Sequence, residues 1–289
     1  MRPMWRDERR AELAGLAGGS GPVLVYDGET LNDLVFDLLS LDSVDGVLFD
    51  TGLSVHPRLL GALGRLGAGF LCGSVEELDL VLRHALADPR SCVLPAGEPA
   101  SGEAWEGLPP GVMPAVPLGG ASSVDPASLR GREVLVVPAA FSTPGGASGT
   151  KDRLRALERV QARVRGFFMP RAPAEREMFP PPAEWPLVAG RDGILVAGGG
   201  TGIVLDDETG APDLDRTAEG LEAWKGVFPD GELRVAPGGA FFSAMAALVE
   251  VEGEEVRIRA PGPLEPGRAS PARPEERFLN ARRICPVPL

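Results

Sequence analysis

The chain has 289 residues, a net charge of −12 and an isoelectric point near 4.8. Such an acidic balance excludes a nucleic-acid partner, since neutralising phosphates requires a basic face, and no run of about 18 apolar residues is available to cross a bilayer. Three cysteines, Cys72, Cys92 and Cys285, are too few and too scattered for a disulfide framework or a zinc knuckle, so a reduced, cytoplasmic protein is expected.

Met1–Arg10 alternates basic and acidic residues with no apolar core behind it, which is not the pattern of a signal peptide. Of the 29 Lys and Arg residues only Lys151 and Lys225 are lysine, a bias that fits a GC-rich coding sequence, as do the many Ala, Gly and Pro. Short apolar runs then alternate with amphipathic stretches. Val23–Tyr26 reads as a strand, and Asp27 and Thr30 cap a helix over Glu29–Leu39. Gly46–Phe49 is a second strand, followed by a helix over Pro57–Leu66 with proline in its first turn. Gly69–Cys72 is a third strand, and Ser74 with Glu77 forms a capping box opening Val75–Ala85.

Further strands are expected at Ser91–Leu94, Gly111–Val116, Glu133–Val137, Gly166–Met169, Gly193–Val196 and Glu232–Val235. A charged helix over Lys151–Arg163 and another near Ala218–Val227 separate the later ones. Repeated strand-then-helix units with short loops indicate a parallel sheet covered by helices. Eight or nine strands fit a closed (β/α)8 TIM-type barrel better than an open doubly wound sheet, and no G-x-G-x-x-G follows the first strand. The expected layout is an N-terminal extension over residues 1–20, a barrel over residues 21–252 and a Pro/Arg-rich, extended or mobile tail over residues 253–289. Pro170 to Pro186 carries six prolines and reads as a long loop over the barrel mouth.

Five motifs occur in one order. Val23-Leu24-Val25-Tyr26-Asp27 is similar to the opening strand of the fold-type III pyridoxal-phosphate decarboxylases, the family of diaminopimelate, ornithine and arginine decarboxylases with an alanine-racemase-like barrel. His56-Pro57, the Leu-rich helix after it and Leu66-Gly67-Ala68-Gly69-Phe70 resemble the family's Asn-Pro, helix and Leu-Gly-Ala-Gly-Phe. Ser74-Val75-Glu76-Glu77-Leu78 resembles its Ser-x-x-Glu-Leu helix start. Gly198-Gly199-Gly200 resembles the triple glycine that receives the cofactor phosphate, and Ala236-Pro237-Gly238-Gly239 resembles its Glu-Pro-Gly-Arg turn.

The departures fall on the residues that handle the cofactor. The family's second strand ends in Ala-Val-Lys-Ala-Asn, whose lysine forms the Schiff base. Counting back from Pro57 without a gap puts Gly52 in that place, within Phe49-Asp50-Thr51-Gly52-Leu53. None of these side chains is an amine whose pKa can be lowered for imine chemistry. The family histidine that stacks on the cofactor ring would fall in Phe167–Pro170, where there is no histidine; His56 and His84 are the chain's only two. Ala236 and Gly239 replace the Glu and Arg of the glycine turn. The family's second, mostly β domain supplies a cysteine and an aspartate across a dimer interface. The tail after Glu250 is expected to be too short to build it, and Cys285 lacks the family context.

The resemblance therefore implies a catalytically degenerate relative that acts as a binding, regulatory or accessory protein, pairing as a homodimer or with an active decarboxylase paralogue. No cofactor is expected beyond pyridoxal phosphate as a non-covalent or vestigial ligand. Backbone N–H groups of Gly198, Gly199, Gly200, Gly238 and Gly239 are the candidates for holding a phosphorylated small molecule, because that contact needs no side chain. Asp50 and His56 flank the lysine position and are candidate acid–base residues for a lysine-independent enzyme. A pyridoxal-phosphate decarboxylase or racemase on a shifted register is the other alternative. Cys72 reads as a buried structural thiol, Arg171 as a loop arginine, the Lys151–Arg165 segment as a solvated charged face, and Phe141–Gly149 as a glycine-rich loop without the phosphate-loop ending. No metal site is expected.

Overall fold

A computed structural model describes residues 5–18, 22–95, 105, 107–118, 124–138, 150–170, 189, 192–200, 203–204, 213–226, 228–252, 255–259 and 275–279. Eight strands close a parallel barrel in chain order: β2 (Gly46–Asp50), β3 (Gly69–Leu71), β4 (Cys92–Pro95), β5 (Met113–Pro117), β6 (Glu133–Val137), β7 (Arg163–Met169), β8 (Ile194–Ala197) and β9 (Glu232–Val235). The closing ladder pairs Gly46 with Arg234 and Val47 with Val235. This is the expected (β/α)8 architecture.

The expected helices are present, with sequence-local causes. Helix α3 (Gly28–Leu39) starts where the Asp27 carboxylate accepts from the Thr30 N–H at 3.0 Å and the Thr30 hydroxyl at 2.7 Å. Helix α4 (Pro57–Arg65) carries proline in its first turn, and α5 (Val75–His84) is capped by Ser74 Oγ, which accepts from the Glu77 N–H at 3.2 Å. Helix α6 (Thr150–Arg159) stops short of the expected Arg163. Gln161 takes φ 60, with its N–H bonded to Glu158 O and the Ala162 N–H to Leu157 O, and this left-handed turn breaks the helix. The charged periodicity runs on, and Arg163 and Arg165 belong to β7 instead. Helix α7 (Leu214–Lys225) precedes β9, and α8 (Gly239–Met245) follows it.

Two parts of the expected layout differ. Val23–Asp27 (β1) is not a barrel strand. It joins a four-stranded sheet of order β11-β10-β1-β12, pairing antiparallel with β10 (Ala246–Glu252) and parallel with β12 (Glu275–Leu279), while β11 (Glu255–Arg259) pairs with β10. The stretch expected to be an extended tail thus supplies two strands of this sheet, and the barrel strands run from Gly46 to Val235. All five residues of β1 are buried, so its apolar run suits either sheet; its partner β10 lies far along the chain, where periodicity gives no information.

The sheet is apolar on both faces. Leu24, Tyr26 and Ala246 join the core between the barrel wall and its helices, and Tyr26 packs on Phe242 and Phe278. Val23, Val25, Ala247 and Val249 meet Leu13 and Ala17 of α2 (Arg10–Ala17) on the other side. The short helix α1 (Trp5–Glu8) is tied down by Trp5 Nε1 to Ala244 O at 2.8 Å and by the buried Arg6, Nε to Ala246 O, at 3.0 Å. Residues expected to be an extension thus form the outer cover of the sheet. The barrel interior is a separate core of Leu48, Leu71, Val93, Ala115, Leu135, Phe168 and neighbours, closed at its N-terminal end by Arg234 bonded to Glu232 at 2.6 and 2.9 Å. No helix among the described residues is long and apolar enough to cross a membrane.

Leu13 is fully buried under the sheet. Leu13→Ala is expected to destabilise the protein by about 2–4 kcal/mol through lost burial and a residual cavity. Urea unfolding measures this, and a loss under about 1 kcal/mol would mean that α2 does not seal the sheet.

Candidate functional site

Side chains alternate along each barrel strand, one set filling the interior and the other packing under the helices. In β2, Val47 and Phe49 face the helices and Leu48 faces the interior, so Asp50 is the last inward residue at the mouth. The gapless count put Gly52 at the lysine position of the family pattern. In the structure the strand has already ended at Asp50, and Gly52 belongs to the turn that follows. That turn is closed by Asp50 itself: Oδ1 accepts from the Gly52 N–H at 3.0 Å, and Asp50 O accepts from the Leu53 N–H at 3.1 Å. Burial raises the Asp50 carboxyl above its ordinary value. The Gly52 N–H opposes the shift and the neighbouring Glu77 charge reinforces it.

Glu77 is the other acidic group of the mouth. Its Oε2 accepts from the Thr51 hydroxyl at 2.6 Å and the Gly73 N–H at 2.8 Å, while the Thr51 N–H bonds Leu71 O at 3.0 Å. The capping glutamate of α5 therefore also locks the turn after β2 to the turn after β3. Sequence reading noticed only its capping role and missed Thr51, which is fully buried.

His56 lies apart from this chemistry. Its Nδ1 accepts from the Arg58 N–H at 3.2 Å as the N-cap of α4, and its ring packs on Phe278 of β12 at 4.9 Å. Burial lowers its pKa, with Glu276 acting against the shift and Arg58 with it. Ser54 Oγ donates to Glu276 Oε2 at 3.2 Å and accepts from the His56 N–H at 3.1 Å, which fastens this loop to the second sheet. Asp50 and His56, expected as an acid–base pair, thus hold different local structures.

Of Phe167–Pro170, where the family pattern has a histidine, Phe168 is the inward-facing member and is 2% exposed. A Cβ on Gly198 would stand 2.9 Å from its ring, so the phenylalanine lies directly against the triple-glycine turn. Alternation from Gly166 is the signal that singles it out.

The two glycine turns do meet. Gly199 and Gly200 take φ 62 and 80 and Gly238 takes φ 57, and a Cβ on Gly238 would approach Gly199 within 3.4 Å. These positions require glycine for their conformation. The Gly198 N–H is bonded to Met169 O at 2.7 Å and the Gly200 N–H to Ala236 O at 3.0 Å, so two of the N–H groups expected to receive a phosphate serve the barrel rim. Gly239 opens α8.

Lys225 closes the opposite end. Its Nζ donates to Asp45 Oδ2 and to Gly231 O at 2.8 Å, just before β2 and β9 begin. Lys151 lies in the first turn of α6, and its side chain is outside the described residues, as are Arg171, Phe141–Gly149, most of Pro170–Pro186 and Cys285. Cys72 faces the helices with Phe70 and Leu94, away from the mouth. No cluster of three metal-ligating side chains occurs among the described residues.

No protein-family profile matches the sequence, and no curated protein matches it. Solved structures do. Lysine decarboxylase from Selenomonas ruminantium superposes with a TM-score of 0.62 at 18% identity, over 85% of this chain and 72% of that one. The Paramecium bursaria Chlorella virus arginine decarboxylase bound to agmatine gives 0.64 at 16%, over 87% and 73%. Ornithine decarboxylase from Entamoeba histolytica gives 0.61 at 13%, over 89% and 79%. At these identities the likeness is one of fold: this chain has the eight-stranded parallel barrel of the pyridoxal-phosphate-dependent decarboxylases.

Proposed function

We propose that the chain is a catalytically degenerate relative of these decarboxylases that works as a binding, regulatory or accessory protein. What supports this reading above all is the inward end of β2, which carries an aspartate tied into its own turn and no amine. The residues do not fit a covalently held pyridoxal phosphate. Attachment needs a nucleophilic amine at the mouth, and Lys225 is engaged at the far end of the barrel. Phe168 fills the space against Gly198, and Asp50 and Glu77 bring negative charge to a mouth that would have to receive a phosphorylated ligand. A phosphorylated small molecule remains the ligand class that the glycine turns suit, held non-covalently by the backbone. The partner consistent with the fold is a second copy or an active decarboxylase paralogue. A lysine-independent enzyme using Asp50 and His56 is less well supported, since His56 caps α4 and packs on Phe278.

Incubation with pyridoxal phosphate followed by borohydride and intact-mass measurement is expected to leave the chain unmodified at Lys151 and Lys225 when the reagent is stoichiometric. A single stoichiometric adduct at either lysine would overturn the proposal. Asp50→Lys, under the same treatment, is expected to gain one adduct at residue 50; no gain in a folded variant would show that the end of β2 is not the attachment position.

The raised Asp50 carboxyl has a stability consequence of definite sign. The folded state holds the proton more tightly than the unfolded chain. Stability is therefore lost as pH rises from the ordinary value near 3.8 through the raised folded value. Asp50→Asn keeps an acceptor for the Gly52 N–H and removes the charge. It is expected to melt higher than wild type at pH 7, with the difference closing toward pH 3. An equal or lower melting temperature at pH 7 would refute the assignment.

A further inference from the structure

Cys72 and Cys92 lie side by side in the helix-facing wall. Cys72 follows β3 with its N–H bonded to Val93 O at 2.9 Å, and Cys92 opens β4 opposite Phe70. Both are free, fully buried and on the same side of the wall as Phe70 and Leu94. Their thiols are hydrogen-bonded to each other, and Cys92 Sγ also donates to Asp88 O at 3.8 Å. The bond to Cys92, with burial behind it, keeps the proton on Cys72. The same bond lowers the Cys92 thiol against the effect of burial, and Cys92 is the sulfur that directly follows the surface turn Pro89–Ser91.

A single 3-10 turn, Pro89–Ser91, leads from the surface to Cys92. It is closed by the Cys92 N–H on Pro89 O, with Asp88 before it and Arg90 within it exposed. A short exposed turn of this kind opens locally at small cost. On the other side, Cys72 sits between Leu71, whose carbonyl holds Thr51, and Gly73, whose N–H holds Glu77. Any displacement of Cys72 is thereby passed to the turn that carries Asp50.

We propose that Cys72 and Cys92 form a reversible disulfide on exposure to a peroxide, and that its closure loosens the Asp50–Gly52 turn at the barrel mouth. The Cys92 thiolate attacks one peroxide oxygen, the O–O bond breaks, and the departing hydroxide takes up the thiol proton as water. Cys72 sulfur then attacks the resulting sulfenic sulfur, the S–O bond breaks, and a second water leaves with the Cys72 proton. Two thiols and one peroxide give one disulfide and two waters; a dithiol reductant reverses the change. The strands are parallel and Cys72 lies two residues beyond Phe70, the partner of Cys92, so a rise of about 3.3 Å per residue and a strand spacing of about 4.8 Å put the two Cα atoms roughly 8 Å apart. A disulfide needs about 4.4–6.8 Å. Closure must therefore draw the end of β3 toward β4, pulling on the carbonyl of Leu71 and the N–H of Gly73.

The wild-type chain and a Cys285→Ser variant are treated with hydrogen peroxide, unfolded, alkylated and mapped by mass spectrometry. The expected result is a peptide pair joined through Cys72 and Cys92, lost on reduction and absent in Cys72→Ala and Cys92→Ala. Hydrogen exchange on the oxidised wild-type chain is expected to be several-fold faster at residues 51–53 and 73–77 than on the reduced chain. Alkylation of both cysteines after peroxide treatment, or their pairing with Cys285 alone, would overturn the disulfide. A disulfide that leaves the exchange of these segments unchanged would overturn the coupling to the mouth. Because both readouts use the wild-type chain, a variant that fails to fold does not decide the outcome.

Discussion

Closure of the barrel is the constraint on which the rest depends. Once β9 pairs with β2, no barrel strand has a free edge, and each barrel-strand residue must face either a filled interior or the helix layer. Asp50 cannot turn away from the mouth without putting Phe49 into the interior, and Phe168 cannot leave it without exposing Phe167 or Met169, both packed beneath the helices. The same rule sends Cys72 outward although it follows directly on inward-facing Leu71. A one-residue difference in where a strand ends therefore decides whether a side chain belongs to the mouth or to the wall.

The second sheet depends on that closure as well. With the barrel complete at eight strands, β1 has no place in it, and it buries one face against α3 and α8 and the other against α2. The Ser54–Glu276 hydrogen bond and the His56–Phe278 contact then fix the loop after β2 from the side of this sheet. The mouth is thus framed by two layers, one inside the barrel and one beside it.

Local signals carried most of the fold. Apolar runs marked all eight barrel strands, and Asp27, Pro57 and the Ser74–Glu77 pair marked helix starts that the structure places at the same residues. What was not legible depended on contacts between distant parts of the chain. The run Val23–Asp27 looks like a barrel strand because burial on both faces reads the same in any sheet. Alternation in Glu255–Arg259 was available as a strand signal, but an edge strand of mixed charge reads as tail until β10 is beside it. For the site, the absence of lysine from Phe49–Leu53 was visible in the sequence, whereas Asp50 as the last inward residue required the true end of β2. Glu77 was read for its backbone role alone, since its bond to Thr51 spans 26 positions of sequence.

The acidic groups at the mouth act together physically. Asp50 ends β2 with a carboxyl at the mouth, and Glu77, held by Thr51 and Gly73, adds a second carboxylate nearby. The Glu77 charge adds to the burial that already disfavours the Asp50 carboxylate. An anionic ligand would have to overcome this charge using backbone N–H groups, two of which already serve main-chain carbonyls. The glycine turns have a reason independent of any ligand: Gly199, Gly200 and Gly238 hold positive φ, a conformation that L side chains rarely adopt. Glycines that the backbone conformation requires, beside carboxylates that oppose an anion, need no ligand to account for their presence.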